Sequence, residues 1–220
     1  MLIGRLVALR AVELRDLDLL TRLANHRTVR NSVVGWDWPV SHLGQDEWLR
    51  GSRNNPDTRR LVVTTADSDE AIGLTGLWDV DWRNRSAVTG VKLMPGMAPK
   101  GAGSDSIMLV MAWSFYEVGL RRLHSTILGT NKASLGAYVG KCGWQIEGRA
   151  RQAVFRNGTW NDLLHVAILR SEFDALELAP DYVARVLPSS DPGGPAAPVR
   201  SEAPAELLAA AGVGGARADS

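Results

Sequence analysis

Cysteine is almost missing from this sequence: Cys142 is the single one in 220 residues, so no internal disulfide framework can form. The four histidines are scattered and lack cysteine neighbours, which leaves no metal-ligand spacing and no expected metal. The opening stretch MLIGRLVALRAVELRD has no long apolar run and carries arginine and glutamate among its apolar positions, which argues against a signal peptide or a membrane span. Neither charge dominates. The 25 basic and 24 acidic residues leave a net +1, without the dense basic surface of a dedicated nucleic-acid or membrane binder. What is present is an apolar content of 45%, enough to bury one sizeable core in a chain long enough for one ordinary domain. The expectation is a soluble protein of a reducing cytoplasm.

From Pro188 to Ser220 the composition shifts to proline, alanine, glycine and serine with no aromatic residue. Such a stretch buries too little apolar surface to offset the entropy of ordering it. Residues 188–220 are therefore expected to form a disordered tail, with a transient helical turn over Glu202–Ala211, and residues 1–187 the folded domain.

Strand and helix signals alternate through that domain. LVALRAV has the make-up of a strand, and Leu17, Leu20 and Leu23 after Asp16 have the spacing of a helix with one apolar face. Ser41 is placed to cap a second helix carrying Leu43, Trp48 and Leu49, and between the two lies a loop with Trp36, Asp37 and Trp38. Leu61–Thr65, Ala71–Trp78 and Ala87–Met94 form an expected antiparallel meander whose last turn is Trp82–Arg85. Gly101-Ala102-Gly103-Ser104 then leads into a helix over Asp105–Val118, with Ile107, Met111, Phe115 and Val118 on one face and Gly119 at its end. A strand over Leu123–Leu128, a helix from Asn131 through Cys142 and a hairpin turning at Asn157-Gly158 complete a mixed α/β domain.

The run Lys100-Gly101-Ala102-Gly103-Ser104 carries the chemistry. Between a strand and a helix, successive backbone N–H groups there point into one small space, two positions have no side chain to obstruct a ligand, and the helix dipole and Lys100 add positive charge. That is an anion site, suited to a pyrophosphate without a metal. It is neither a P-loop, which needs Gly-x-x-x-x-Gly-Lys-Ser/Thr, nor a dinucleotide fingerprint, because Ser106 stands where the third glycine belongs. Another phosphate-bearing cofactor is implied.

The ordered motifs GVKLMPGMAPKGAGSDSI, LGTNKAS, GWQIEGRAR and RNGTWND resemble the GNAT acetyltransferase superfamily, and within it the RimJ/RimL type, over about Leu6 to Phe173. The resemblance implies a central, mostly antiparallel sheet, splayed at an acetyl-CoA site and flanked by helices. It implies that Val91, Lys92, Leu93 and Met94 form the splayed strand whose backbone pairs with the pantetheine arm. Lys100, Gly101, Ala102, Gly103 and Ser104 are then expected to bind the pyrophosphate, Asn131 the coenzyme arm or a water, and Tyr138 or Ser134 to protonate the departing sulfur.

Direct attack of an amine on the thioester needs a proton donor and a base or water chain, but no enzyme nucleophile. Cys142, just before Gly143 at a helix end and with no activating base in its local context, suits packing better than reactivity. Two departures from the family pattern stand out. Val88 occupies a position that is often acidic, so Asp79 and Asp81 become the candidate bases, with His165 behind them. The run Ser134–Gly143 is one residue longer than usual, which could rotate Tyr138 away from the sulfur unless a helical bulge absorbs it. The loop residues Trp36, Asp37, Trp38 and Trp82 are the candidate acceptor wall.

These features lead to an N-acetyltransferase acting on a small-molecule or peptide amine, in a family whose members often form homodimers. The alternatives are the same fold with a longer acyl-CoA or an aminoacyl-tRNA donor, and a non-catalytic coenzyme-binding module.

Overall fold

The computed structural model describes residues 1–187, and the expected tail at 188–220 lies outside the described residues. In chain order the elements are β1 (Leu2–Ile3), β2 (Val7–Ala11), α1 (Leu17–Asn25), α2 (Arg27–Ser32), α3 (His42–Asn54), β3 (Arg59–Thr65), β4 (Ala71–Asp81), β5 (Ser86–Thr89) and β6 (Lys92–Leu93). They continue with α4 (Ala102–Tyr116), β7 (Arg122–Leu128), α5 (Lys132–Cys142), β8 (Gln145–Arg156), β9 (Thr159–Leu169), α6 (Arg170–Asp174) and α7 (Ala179–Val186).

The strands make one sheet in the order β1-β2-β3-β4-β5-β7-β9-β8, with β6 pairing back onto β4. Every pair is antiparallel except β5 with β7, which run parallel over Ser86–Val88 against Arg122–His124. This is the mixed, mostly antiparallel sheet that the motifs imply.

α4 crosses one face of this sheet as its central helix. A one-sided apolar stripe was the expectation, but Ile107 to Ala112 are all buried, because strands, α5 and α7 enclose the helix from several directions. It also starts earlier than its apolar periodicity predicts, at Ala102. Gly101, at φ 100°, makes the left-handed turn that a side chain would strain, and so lets the chain enter the helix three residues sooner.

On the other face Leu19, Leu20 and Leu23 of α1 and Val29 of α2 pack with Leu74 and Met94 into a second apolar cluster. α2 falls in what sequence periodicity leaves as a loop, since six residues with one buried position, Val29, give no repeat to detect. α6 and α7 are likewise not expected from the sequence.

α7 is fixed by a buried carboxylate. Asp105, in the first turn of α4, accepts from the backbone N–H of Arg5 at 3.1 Å, Leu6 at 2.7 Å and Val7 at 2.9 Å, and from the Tyr182 hydroxyl of α7. One side chain thus joins the N-terminal strands, the central helix and the last helix.

Candidate functional site

The sheet opens where β5 ends. Its pairing with β4 runs through Leu77↔Thr89, lapses at Gly90–Val91, and resumes in β6 at Leu74↔Lys92. In the gap, side-chain hydroxyls replace the ladder: Thr75 donates to the Gly90 carbonyl at 3.1 Å and Thr89 to the Gly76 carbonyl at 2.7 Å. Gly76, at φ 138°, could not carry a side chain there, because a Cβ would lie 2.0 Å from the Arg59 carbonyl oxygen. Meanwhile β7 continues to Leu128 without a partner from β5, so the two strands part in a V. The expected single strand Ala87–Met94 is thus two short strands, β5 and β6, interrupted at Gly90–Val91.

A cavity of about 570 Å³ fills the V, with Val91, Lys92 and Leu93 on one side and Ser125, Thr126 and Ile127 on the other. Gly103 and Ile107 of α4 line one end. At that helix start the Ala102 N–H is taken by the Pro99 carbonyl and the Asp105 N–H by that of Gly101, so the amides of Gly103 and Ser104 have no intrahelical acceptor. An anion would meet two free N–H groups and the positive end of the helix dipole. Lys100 is exposed beside this turn.

α5 supplies the opposite wall. Asn131 caps it, its side-chain oxygen accepting from the Ser134 N–H at 3.0 Å while its amide nitrogen donates to the Ser32 carbonyl at 3.2 Å. Both polar atoms are therefore engaged in holding α5 to the end of α2. One and two turns further on, Ser134 and Tyr138 line the cavity. The helix is α throughout, closed by Gly143 in the left-handed region, and needs no bulge to keep Tyr138 inward. Tyr138 packs edge-on against Trp144, with ring centroids 4.8 Å apart. Its hydroxyl is buried with no hydrogen-bond partner among the described residues, and burial pushes its pKa above the ordinary range, with the Val91 amide pulling the other way.

The loop after α2 roofs the cavity. Arg156 of β8 donates to the Val33 carbonyl at 3.1 Å and pairs with the Asp37 carboxylate, while Arg30 donates to the Asp37 carbonyl at 2.6 Å. Asp37 therefore anchors the roof instead of lining the cavity, and Trp36 beside it faces inward.

Under Trp36 lies a row of alternating rings and cations. The Lys92 ammonium nitrogen is 5.4 Å from the Trp36 ring centroid and 4.7 Å from that of Trp78; the Arg60 guanidinium is 4.4 Å from Trp78 and 5.5 Å from Trp48. Lys92 is packed round on most sides yet keeps some surface toward the cavity. This burial, helped by the like charge of Arg60, pushes its pKa down to about 7.

Not every expected residue comes to this cavity. Asp79 and Asp81 lie outside its lining; Asp81 instead holds the β4–β5 turn, accepting from the Asn84 N–H at 2.8 Å and its side-chain amide at 2.7 Å. Trp38 is 81% exposed, and Trp82, outside the lining, donates to Asp57 at 2.8 Å. Cys142 is buried, its thiol donating to the Ser104 carbonyl at 3.7 Å and pushed up to about 12 by burial. Arg60 and Trp78, by contrast, are cavity residues that the sequence reading passes over, although an arginine flanking the apolar strand Leu61–Val63 was the available signal. Among the described residues no group of three or more His, Cys, Asp or Glu could hold a metal, and no helix is long and apolar enough to cross a membrane.

Comparison with known proteins agrees with this geometry. Residues 6–145 match the family model for the acetyltransferase (GNAT) domain. The chain is 25% identical to spermidine N(1)-acetyltransferase of Vibrio cholerae over 167 residues, 76% of this chain and 95% of that protein. A crystal structure of the Vibrio cholerae spermidine N-acetyltransferase with CoA and spermine superposes with a TM-score of 0.70 at 27% identity, covering 76% of this chain and 97% of that one. A dodecameric structure of the same enzyme gives 0.66 at 26%, covering 76% and 95%.

Proposed function

The chain belongs to the GNAT acetyltransferase family and acetylates a primary amine with acetyl-CoA, and we propose that it does so by direct attack in a ternary complex within the cavity, with Tyr138 as the proton donor. The coenzyme supplies an activated acyl carbon and a sulfur leaving group. The amides of Gly103 and Ser104, with Lys100 beside them, hold its pyrophosphate; Gly101 and Ala102 form the turn that aims them. Along Val91 to Met94 the pantetheine arm pairs with the strand edge that faces the V, since the other edge of Lys92–Leu93 and the Met94 N–H are already taken by β4. Asn131 acts by fixing α5.

In the transfer the amine, its ammonium proton already given to water, bonds through nitrogen to the acyl carbon, the carbon–sulfur bond breaks, the sulfur takes a proton from the Tyr138 hydroxyl, and the proton then lost by the nitrogen returns through water to Tyr138. Asp79 and Asp81 would assist as bases only through a chain of waters. The observation that carries this reading is the buried, unpartnered hydroxyl of Tyr138 beside the Val91 amide. Ser134, one turn earlier, is the second donor.

The order of the motifs supports the RimJ/RimL type within the family, residues 1–187 as the acyltransferase domain, and small amines or peptide N-termini as acceptors. The single, buried cysteine suits a cytoplasmic setting. Self-association is supported by the outer strand β8, whose hairpin tip bears Phe155 and Trp160, 55% and 62% exposed.

Tyr138→Phe tests the central role. In a thiol-release assay kcat is expected to fall by about 10²-fold, the size of a lost general acid. Activity within a few-fold of wild type would contradict Tyr138 as donor and turn attention to Ser134.

A further inference from the structure

The cavity holds two basic side chains and no acid. Among the described residues that line it, none is aspartate or glutamate, while Lys92 and Arg60 both reach it. Neither is neutralised there. Among the described residues, the charge that acts on Lys92 is the like charge of Arg60, and Arg60 has its Nε buried without a partner and feels Asp79 from outside the cavity. Desolvated cations without a counter-charge cost free energy in the free protein. A ligand that brings a negative group relieves that cost; one that brings more positive charge adds to it.

The aromatic rings reinforce the point. Trp36 and Trp78 would be natural seats for a cationic amine, but the protein's own cations already stand over them, at 5.4 and 4.7 Å for Lys92 and 4.4 Å for Arg60 over Trp78. Burial on the wall of the cavity also lowers the affinity of Lys92 for its proton, a strain that an anionic neighbour would reverse.

We infer that the acceptor is a primary amine that also carries an anionic group, a carboxylate or a phosphate, held by Lys92 and Arg60, and that polyamines are disfavoured. This rests on the N-acetyltransferase reading above and names its substrate class.

The test compares matched amines in the thiol-release assay with the full chain: phenylalanine against phenethylamine, phosphoethanolamine against ethanolamine, and spermidine alongside. Wild type is expected to favour an anionic amine over its uncharged-tail partner and over spermidine by at least about tenfold in kcat/KM, since buried charges left unpaired strongly reject the wrong ligand. The carboxylate and phosphate pairs show which anion is meant. In Lys92→Gln and, separately, Arg60→Gln the ratio within each pair falls toward one. Being internal to each variant, that ratio is independent of any general loss of activity, and circular dichroism confirms that both fold.

Equal or preferred use of spermidine, or a ratio unchanged in both variants, overturns the inference while leaving the N-acetyltransferase reading intact. So does failure of both anionic amines in a protein that binds acetyl-CoA. If Lys92→Gln instead weakens acetyl-CoA itself tenfold without changing the ratio, the anion is a coenzyme phosphate and the inference also fails. Absence of acetyl-CoA binding by the wild type would be failure of the underlying reading.

Discussion

Lys92 holds its ammonium nitrogen 4.7 Å from the ring centroid of Trp78, on the wall of a cavity whose described lining contains no carboxylate. The lysine is thus partly stripped of water and given an aromatic face in place of an anion.

This relationship has a consequence for stability. Lys92 is lowered from 10.5 to about 7 in the folded chain by burial and by Arg60. Between those values the unfolded chain binds more protons than the folded one, so this group makes stability rise as pH rises from about 7 toward 10.5. Below about 7 its full penalty is present. Urea unfolding of wild type and Lys92→Met at neutral pH and in the alkaline part of that window should show the variant's advantage shrinking as pH rises. A constant difference would mean that Lys92 titrates alike in both states.

Asp105 is the structural counterpart, a buried acid with every role filled. Asp105→Ala strands the N–H groups of Leu6 and Val7 and the Tyr182 hydroxyl, for an expected loss of about 3 kcal/mol. At this chain length that corresponds to roughly 10 °C in Tm by differential scanning calorimetry. Asp105→Asn, which keeps one acceptor oxygen, should fall between.

The roof supplies a functional prediction. Arg156→Ala releases the Val33 carbonyl and Asp37, which loosens the segment presenting Trp36. For the amine that wild type acetylates, KM should rise about fivefold, close to 1 kcal/mol, while acetyl-CoA affinity measured by calorimetry changes less than that. Equal losses in both would show that Arg156 supports the whole domain and not the roof alone.

The scaffold was legible where local chemistry is strong. Ser41 caps α3 by accepting from the Gly44 N–H at 3.0 Å, and Asn157 and Gly158, at φ 50° and 77°, make the turn expected of them. α7 was missed although Pro180 near its start and Tyr182 with Val186 on one face are helix signals; the shift toward Pro188 masked them. The site was legible only along the backbone. Gly103 sits in an ordered motif and Tyr138 lies one helical turn after a second, LGTNKAS, so their places follow from sequence order. Lys92, Arg60 and Trp78 meet across three strands, and only the register Leu74↔Lys92 and Arg60↔Gly76 brings them together. The acids Asp79 and Asp81 drew attention by residue type, yet Asp81 serves its own turn and Asp79 lies outside the cavity lining.

The most direct measurement is a calorimetric titration of the purified chain with acetyl-CoA, repeated with Gly103→Trp. Among the described residues a Cβ at Gly103 meets only the Leu93 side chain of the cavity wall, at 3.8 Å, so the substitution begins from open space. Saturable binding by wild type is expected, with a loss of at least about tenfold, or 1.4 kcal/mol, in the folded variant. Equal affinity in the two proteins would contradict a coenzyme site at the start of α4.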